Sequence, residues 1–414
     1  MDETGSPAPP REAAAGSSGA ARRVKSGLRI AMIAACPFPF GRGTPIRIQR
    51  QAEALAARGH EVHVATYFLG TAEPVAGVSV HRTPRLPFYR TTSPGPTYQK
   101  LLALDPMLLA TLVRLLRARD IDVIHAHHYE GLLIARAAKA FRRIPLVYDA
   151  HTMLGSELGF FRMGLPRRLT VALGEQLDRR LPRLADHVIS VTETIRDRLV
   201  AGGIAPEARI SVIGNGVELE RFRAELQPPW AAGTPKRIIF TGNLAPYQGI
   251  DVLLEAFAAA SSRRRDIRLQ IVTDSDFASY EPSARRLGIR ELIEVVPAPA
   301  FAELPAQLET AHVAVNPRVE ADGMPVKLLN YMAAGKPVVS FAGSAPGLTH
   351  GDTAWLIRGG DATVFGQGVL DVLEDRERAL ALGRRARRFV EQHYRWPVLA
   401  ERIERVYQSL LEPA

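Results

Sequence analysis

The chain has 414 residues, 46% hydrophobic and 7% aromatic, which is more than one compact core usually holds and leads us to expect two domains. Its 53 Lys and Arg against 43 Asp and Glu leave a formal charge of +10, which favours acidic surfaces or phosphorylated small molecules. The arginines of RRLPRL, SSRRRD and GRRARRF lack interleaved aromatics, which weighs against nucleic acid, and a lone cysteine, Cys36, excludes an internal disulfide and a Cys-rich zinc site.

In chain order, residues 1–26 are rich in Ala, Gly, Ser and Pro, lack the apolar stretch of a signal peptide, and predict a disordered tail. From Leu28, short β-branched runs alternate with longer amphipathic stretches: LRIAMIAA, HEVHVATY, VSVHRT, IDVIHAH, LVYDAH, HVISVT and RISVIG. This pattern predicts a parallel sheet wrapped by helices, a Rossmann-like domain over 27–220. Between the first two runs, Ile48, Ala52, Leu55 and Ala56 share one face of a predicted helix that ends at Gly59.

Pro228, Pro229, Gly233 and Pro235 break the periodicity and mark a linker over 221–236. RIIFTG, LQIVT, IEVVP, HVAVNP, KPVVSF and AWLI then read as strands of a second doubly wound α/β domain, 237–395. The closing residues 396–414 predict an amphipathic helix returning to the first domain. No apolar run reaches the roughly 18–20 residues of a spanning helix, and the greasiest, LLALDPMLLATLVRLL, is broken by Asp105 and Pro106. A cytoplasmic protein is expected, with Arg-flanked segments at 101–119 and 165–183 suited to reversible attachment to an anionic membrane on its inner face.

Tandem open sheets place ligands at the carboxyl ends of their strands, so the loops there matter most. GMPVKLLNYMAAGKPVV opens on Gly323 and feeds a helix whose first backbone N–H groups and positive dipole end suit a diphosphate. Lys327 and Asn330, three residues apart, share a face. On pattern alone, such a stretch is more often a packed helix with Leu328, Leu329, Met332 and Ala333 in the core and Lys327 and Asn330 on a solvated face.

CPFPFGRGTPIRIQRQAEALAARGHEVHVATY, LVYDAH and ADHVISVTE, followed by NGVELERF, FTGNLAPYQGIDVLLEAF and GMPVKLLNYMAAGKPVV, together resemble glycosyltransferase family four over nearly all of Leu28–Leu411. That resemblance implies two Rossmann-like domains facing across a cleft, the B-type glycosyltransferase fold. It implies retaining transfer of a sugar from a nucleotide-diphosphate donor, UDP- or GDP-linked, to a glycan, lipid-linked or small-molecule acceptor. Neither a metal nor a separate cofactor is implied, and no Asp-x-Asp motif is present.

By the same resemblance His151 and Asp149 are the first-domain catalytic candidates, with Asp149 orienting His151, and Asp322 is the acid of the second. The donor side comprises Asn215, Gly242, Asn243, Gln248, Arg318, Gly323, Met324, Pro325, Lys327, Leu328 and Asn330. Gly41, Gly43, Thr44 and Arg47 form the loop beside diphosphate and acceptor; without the resemblance this stretch reads as a turn and a Pro45-led helix start.

The chain departs from the family pattern at four positions. The family's paired Glu residues are Asp322 and Asn330 here, and its Arg and Lys are Asn243 and Gln248. Two cations and one of two anions are missing together, so Lys327 beside Asp322 restores neutrality, with Arg318 as a second cation. An altered donor clamp is expected, with a non-catalytic sugar-nucleotide binder or partner protein of the same fold as the alternative. A dinucleotide oxidoreductase is disfavoured because GRGTPI places Ile46 at the third glycine of G-x-G-x-x-G. A B-type sugar-nucleotide epimerase would need paired cleft carboxylates, which are not seen.

Overall fold

A computed structural model describes residues 27–412 apart from 42, 88, 93–96, 159–165, 224–227, 229, 231–232 and 299–302. The tail expected over 1–26 lies outside the described residues.

All seven runs anticipated in the first half are strands: β1 (Arg29–Ala34), β2 (Glu61–Thr66), β3 (Val78–Arg82), β4 (Val123–His127), β5 (Leu146–Ala150), β6 (His187–Ser190) and β7 (Ile210–Val212). They form one parallel sheet in the order β3-β2-β1-β4-β5-β6-β7. The six later runs are β8 (Lys236–Thr241), β9 (Ile267–Val272), β10 (Ile293–Val296), β11 (Val313–Asn316), β12 (Val338–Phe341) and β13 (Trp355–Ile357), in the parallel order β10-β9-β8-β11-β12-β13. Central strands covered on both faces are largely apolar, and Ile30–Ala34 of β1 are accordingly all fully buried.

In each sheet the strand order reverses once, between β1 and β4 and between β8 and β11. Chains leaving the sheet there diverge to opposite faces and open a crevice at the carboxyl edge. Residues 35–41, 43–44 and His128 stand at the first crevice, and residues 242–249 and 317–325 at the second.

The helix Gly43–Ala57 buries Ile48, Ala52 and Leu55 on one face. The last helix, Trp396–Leu411, crosses back to the first sheet, where Trp396, Leu399, Ile403 and Tyr407 join Leu28, Ile30 and Met32 in one core. Each such side chain, fully buried, contributes about 1.5–3 kcal/mol. Arg402 donates to the Val212 carbonyl at 2.6 Å and Arg58 pairs with Glu404, so polar contacts fix the register of this helix. Among the described residues, no helix is long and apolar enough to cross a membrane.

Candidate active site

At the first crevice, β4 ends in alternating histidines, so His125 and His127 share one sheet face. Next in the chain, His128 has φ +57, a conformation uncommon outside glycine, and turns the backbone into the helix His128–Ala138. Its Nε2 lies 2.9 Å from the Thr44 hydroxyl, joining the loop after β1 to the end of β4. His151, just beyond β5, stacks on His128 with ring centroids 4.5 Å apart.

Asp149 is the hub beneath them and is fully buried. The Arg47 guanidinium pairs with its carboxylate at 3.1 Å, and the Gln51 amide donates to it at 3.1 Å. His125, His127 and His151 each bring a ring nitrogen within 3.6–3.7 Å. His127 Nδ1 and His151 Nε2 are 3.2 Å apart, so one ring donates to the other. Burial alone would raise the Asp149 carboxyl, but Arg47 and the surrounding rings outweigh it and hold the group well below the usual carboxylate range. Burial pushes His127 and His151 well below their ordinary values and His128 to about 4, leaving neutral imidazoles.

One expectation needs correction here. Arg47 does not present its charge to a phosphate: it is buried, held by Asp149, and donates to the Ile213 carbonyl at 2.7 Å and weakly to Asn215 Oδ1 at 3.4 Å. Asp149 contacts His151, but the same carboxylate also neutralises Arg47 and faces two further histidines. His125, His127 and Asp149 place metal-type ligand atoms within 4.8 Å of one another. The cation beside that carboxylate is already Arg47, and Tyr407 holds His125 Nδ1 at 2.6 Å. Gly41 is exposed in the loop after β1, and Gly43 is exposed at the first position of the helix Gly43–Ala57.

The second crevice gathers the donor-side candidates. Lys327, near the start of the helix Val326–Ala333, donates from Nζ to Gln248 Oε1 at 2.6 Å and lies 4.1 Å from the centroid of the Phe240 ring. Gly242 has φ +131, a conformation that side-chain-bearing residues rarely adopt, and its Cα borders Lys327, whose Nζ would lie in ordinary contact, 3.5 Å, with a Cβ built there. Burial, with the nearby Arg318 charge adding to it, lowers Lys327 to about 7. Asn243 receives the Gln248 amide at 3.4 Å and donates to the Tyr247 hydroxyl at 3.2 Å. Arg318 sits 5.1 Å over the Tyr247 ring.

Asn330 is one helical turn beyond Lys327 and only 6% exposed, so little more than an edge of its side chain is open. Leu328, expected among the donor contacts, is instead fully buried with Leu329 and Met332, because its helical position faces the sheet. Met324 is half-buried against that core, and Pro325 precedes the first helical turn.

The domains touch at Gly323. A Cβ built there would meet the Thr192 methyl at 2.3 Å, so only glycine allows this approach. The neighbouring Asp322 carboxylate is largely exposed and 4.0 Å from Arg198 of the first domain. We expect Gly323→Ala to lower kcat by forcing the domains apart, and Thr192→Ser, which removes the methyl but keeps the hydroxyl that caps Ile195 N–H, to restore part of it. Steady-state kinetics on the single and double variants checks this; an unimpaired Gly323→Ala would show that the contact is dispensable.

Sequence reading missed His125, His127, His128, Gln51 and Tyr407. The run IHAHHYE at a strand's carboxyl end was the available signal for the histidines; Tyr407 reaches His125 from 282 residues away and carried none.

Two parallel α/β domains with facing crevices, each lined at its switch point by polar loops, define the class of B-type glycosyltransferases. The family model for Glycosyltransferase Family 4 matches residues 41–221, and that for Glycosyl transferases group 1 matches residues 235–375. The chain belongs to glycosyltransferase family four, and it is a glycosyltransferase. It is 28% identical over 311 residues to D-inositol 3-phosphate glycosyltransferase of Thermobispora bispora, covering 70% of this chain and 71% of that protein. It is 26% identical over 402 residues to phosphatidyl-myo-inositol mannosyltransferase of Mycobacterium leprae, covering 92% and 97%. Among solved structures, sucrose-phosphate synthase from Thermosynechococcus elongatus superposes with a TM-score of 0.69 at 19% identity, covering 92% of this chain and 99% of that one. Anabaena HepE in complex with UDP gives 0.67 at 16%, covering 92% and 100%.

Proposed function

We propose that the donor is a UDP- or GDP-linked sugar whose diphosphate lies at the second crevice, between Lys327 and the N-terminal turn of its helix. The observation that carries this reading is the Lys327–Gln248 contact at 2.6 Å, which puts an ammonium where the strand order reverses. Gln248 holds the ammonium without neutralising it, so the charge remains for an anion. Arg318, also bordering that loop, is the second cation, and Asn330 offers its amide edge to the ribose. Catalysis then rests on positioning and on stabilising the leaving phosphate. The acceptor hydroxyl attacks the anomeric carbon from the face the diphosphate leaves, and the departing phosphate oxygen takes its proton.

At the first crevice His151 is the group that meets the donor sugar. A neutral imidazole whose Nε2 is engaged by His127 has one nitrogen left for a sugar hydroxyl. A phosphoinositol or another lipid-linked or glycan hydroxyl is the acceptor class, in keeping with the names of the two relatives. Incubating the protein with UDP- and GDP-sugars and following nucleotide release, with and without myo-inositol phosphate or phosphatidylinositol, tests the reading. Binding of nucleotide sugar without hydrolysis or transfer would favour a non-catalytic binder. His151→Ala should lower transfer by about 100-fold, as loss of one positioned donor does elsewhere, with little change in Tm; unchanged transfer would remove His151 from the site.

A further inference from the structure

The helices Asp105–Ala118 and His128–Ala138 flank β4, one before it and one after, and both therefore start at the carboxyl edge of the first sheet. Buried Leu108, Leu112, Leu132 and Ala135 pack between them. Above this floor is a cavity of about 690 Å³ whose walls include Leu101, Pro106, Leu109, Leu133, Ile134 and Ala137. On the second helix the lining positions 129, 130, 133, 134 and 137 recur every three to four residues, a stripe that eight residues at 1.5 Å each make about 12 Å long.

The trough is asymmetric. At its cleft end lie Glu130, two residues beyond His128, with Lys100 and Asp105; the far end, at Leu109 and Ala137, is apolar. Asp105 accepts a hydrogen bond from the Tyr67 hydroxyl at 2.5 Å, which fixes its place at that rim. Burial raises Glu130 to about 7 and lowers Lys100 from its ordinary value. Tyr98, Leu101 and Leu133, at 73%, 63% and 46% exposure, leave apolar surface at the mouth. A trough whose charged residues Lys100, Asp105 and Glu130 stand where it adjoins the cleft, and whose walls beyond are lined by Leu109, Leu133, Ile134 and Ala137, has the polarity of one amphiphile with its head toward the reaction.

We propose that this trough binds a single alkyl chain of the acceptor, with Glu130 and Lys100 beside the polar group that joins the chain to the accepting sugar or polyol. The proposal rests on the acceptor side being the first domain, as in the reading above. It assigns acceptor selection to the two helices, away from the residues that hold the donor.

The test uses hexyl, octyl and decyl β-glucoside below their micellar concentrations, titrated calorimetrically into the full chain. Each added methylene buried in the trough should tighten binding about four-fold, the equivalent of about 0.8 kcal/mol. Leu133→Arg and Leu101→Arg, at exposed positions, should abolish that chain-length dependence, and Leu133→Met should keep it. Thermal shifts with UDP and GDP on the same samples judge the donor reading separately and should be the same for all variants. Affinity independent of chain length in the wild type, or an equal dependence in both arginine variants, overturns the proposal. So does pelleting with phosphatidylglycerol vesicles that salt erases and neither variant alters, if the alkyl glucosides do not bind, since the face would then adsorb to a membrane surface without taking up a chain.

Discussion

Arg47→Met should destabilise the protein by about 3–5 kcal/mol, because it strands the Asp149 carboxylate in a site with no exposure. In a domain of this size that loss corresponds to a fall in Tm of about 6–20 °C. Asp149→Leu should cost a similar amount by stranding the guanidinium. The double variant Arg47→Met with Asp149→Leu should recover most of it, since a buried pair replaced by apolar groups of similar volume is often close to neutral. Urea unfolding of the three variants decides the matter, and near-additive losses would show that the two residues do not act as a pair. The pH dependence follows from the same contact. Asp149 has a folded pKa below its unfolded one, so its stabilisation is complete above about pH 4 and is lost as pH falls further.

Lys327→Ala should weaken binding of a nucleoside diphosphate by about 10- to 100-fold, the range of a charged hydrogen bond of about 1.5–3 kcal/mol, and spare the parent nucleoside. Its ammonium carries a further signature, because burial has brought its pKa to about 7. Only the protonated form attracts phosphate, and bound phosphate in turn raises the pKa. Affinity should therefore fall as pH rises above about 7, by at most about ten-fold per unit, with uptake of a proton on binding. Lys327→Arg should bind with little pH dependence over the same range, since a guanidinium stays charged. Calorimetry at pH 6.5, 7.5 and 8.5 in buffers of different ionisation enthalpy reads both quantities. A flat profile in the wild type would remove Lys327 from the diphosphate.

Local pattern carried the strands because each is a short β-branched run between amphipathic stretches, and period and length suffice for such elements. It carried the candidate loops for the same reason: once the strands are placed, the residues following them are at the carboxyl edge. Side-chain partners across long separations were not legible. Arg47 and Asp149 are 102 residues apart, and a basic residue in a Gly-rich loop reads as a phosphate ligand until its buried partner is seen. Leu328 follows Lys327 directly, yet the helix turns one toward Gln248 and the other into the sheet. The family positions occupied by Asn243 and Gln248 showed that charge had been lost and pointed to Lys327 as its replacement; the 2.6 Å contact of Lys327 with Gln248 is what three dimensions add.

The return of Trp396–Leu411 to the first sheet has a consequence for biosynthesis. Tyr407 hydrogen-bonds His125, and Ile403 lies in the same core as Ile30 and Met32, so the first domain to leave the ribosome lacks part of its interior until residues 396–411 have been made. Domains made in sequence ordinarily fold in sequence. Here the second domain, whose own core draws on residues from Val217 to Val390, can close before the first is complete. The first domain must therefore wait with an apolar seam open, and a chain truncated after Arg395 should show a protease-sensitive first domain beside a resistant second one.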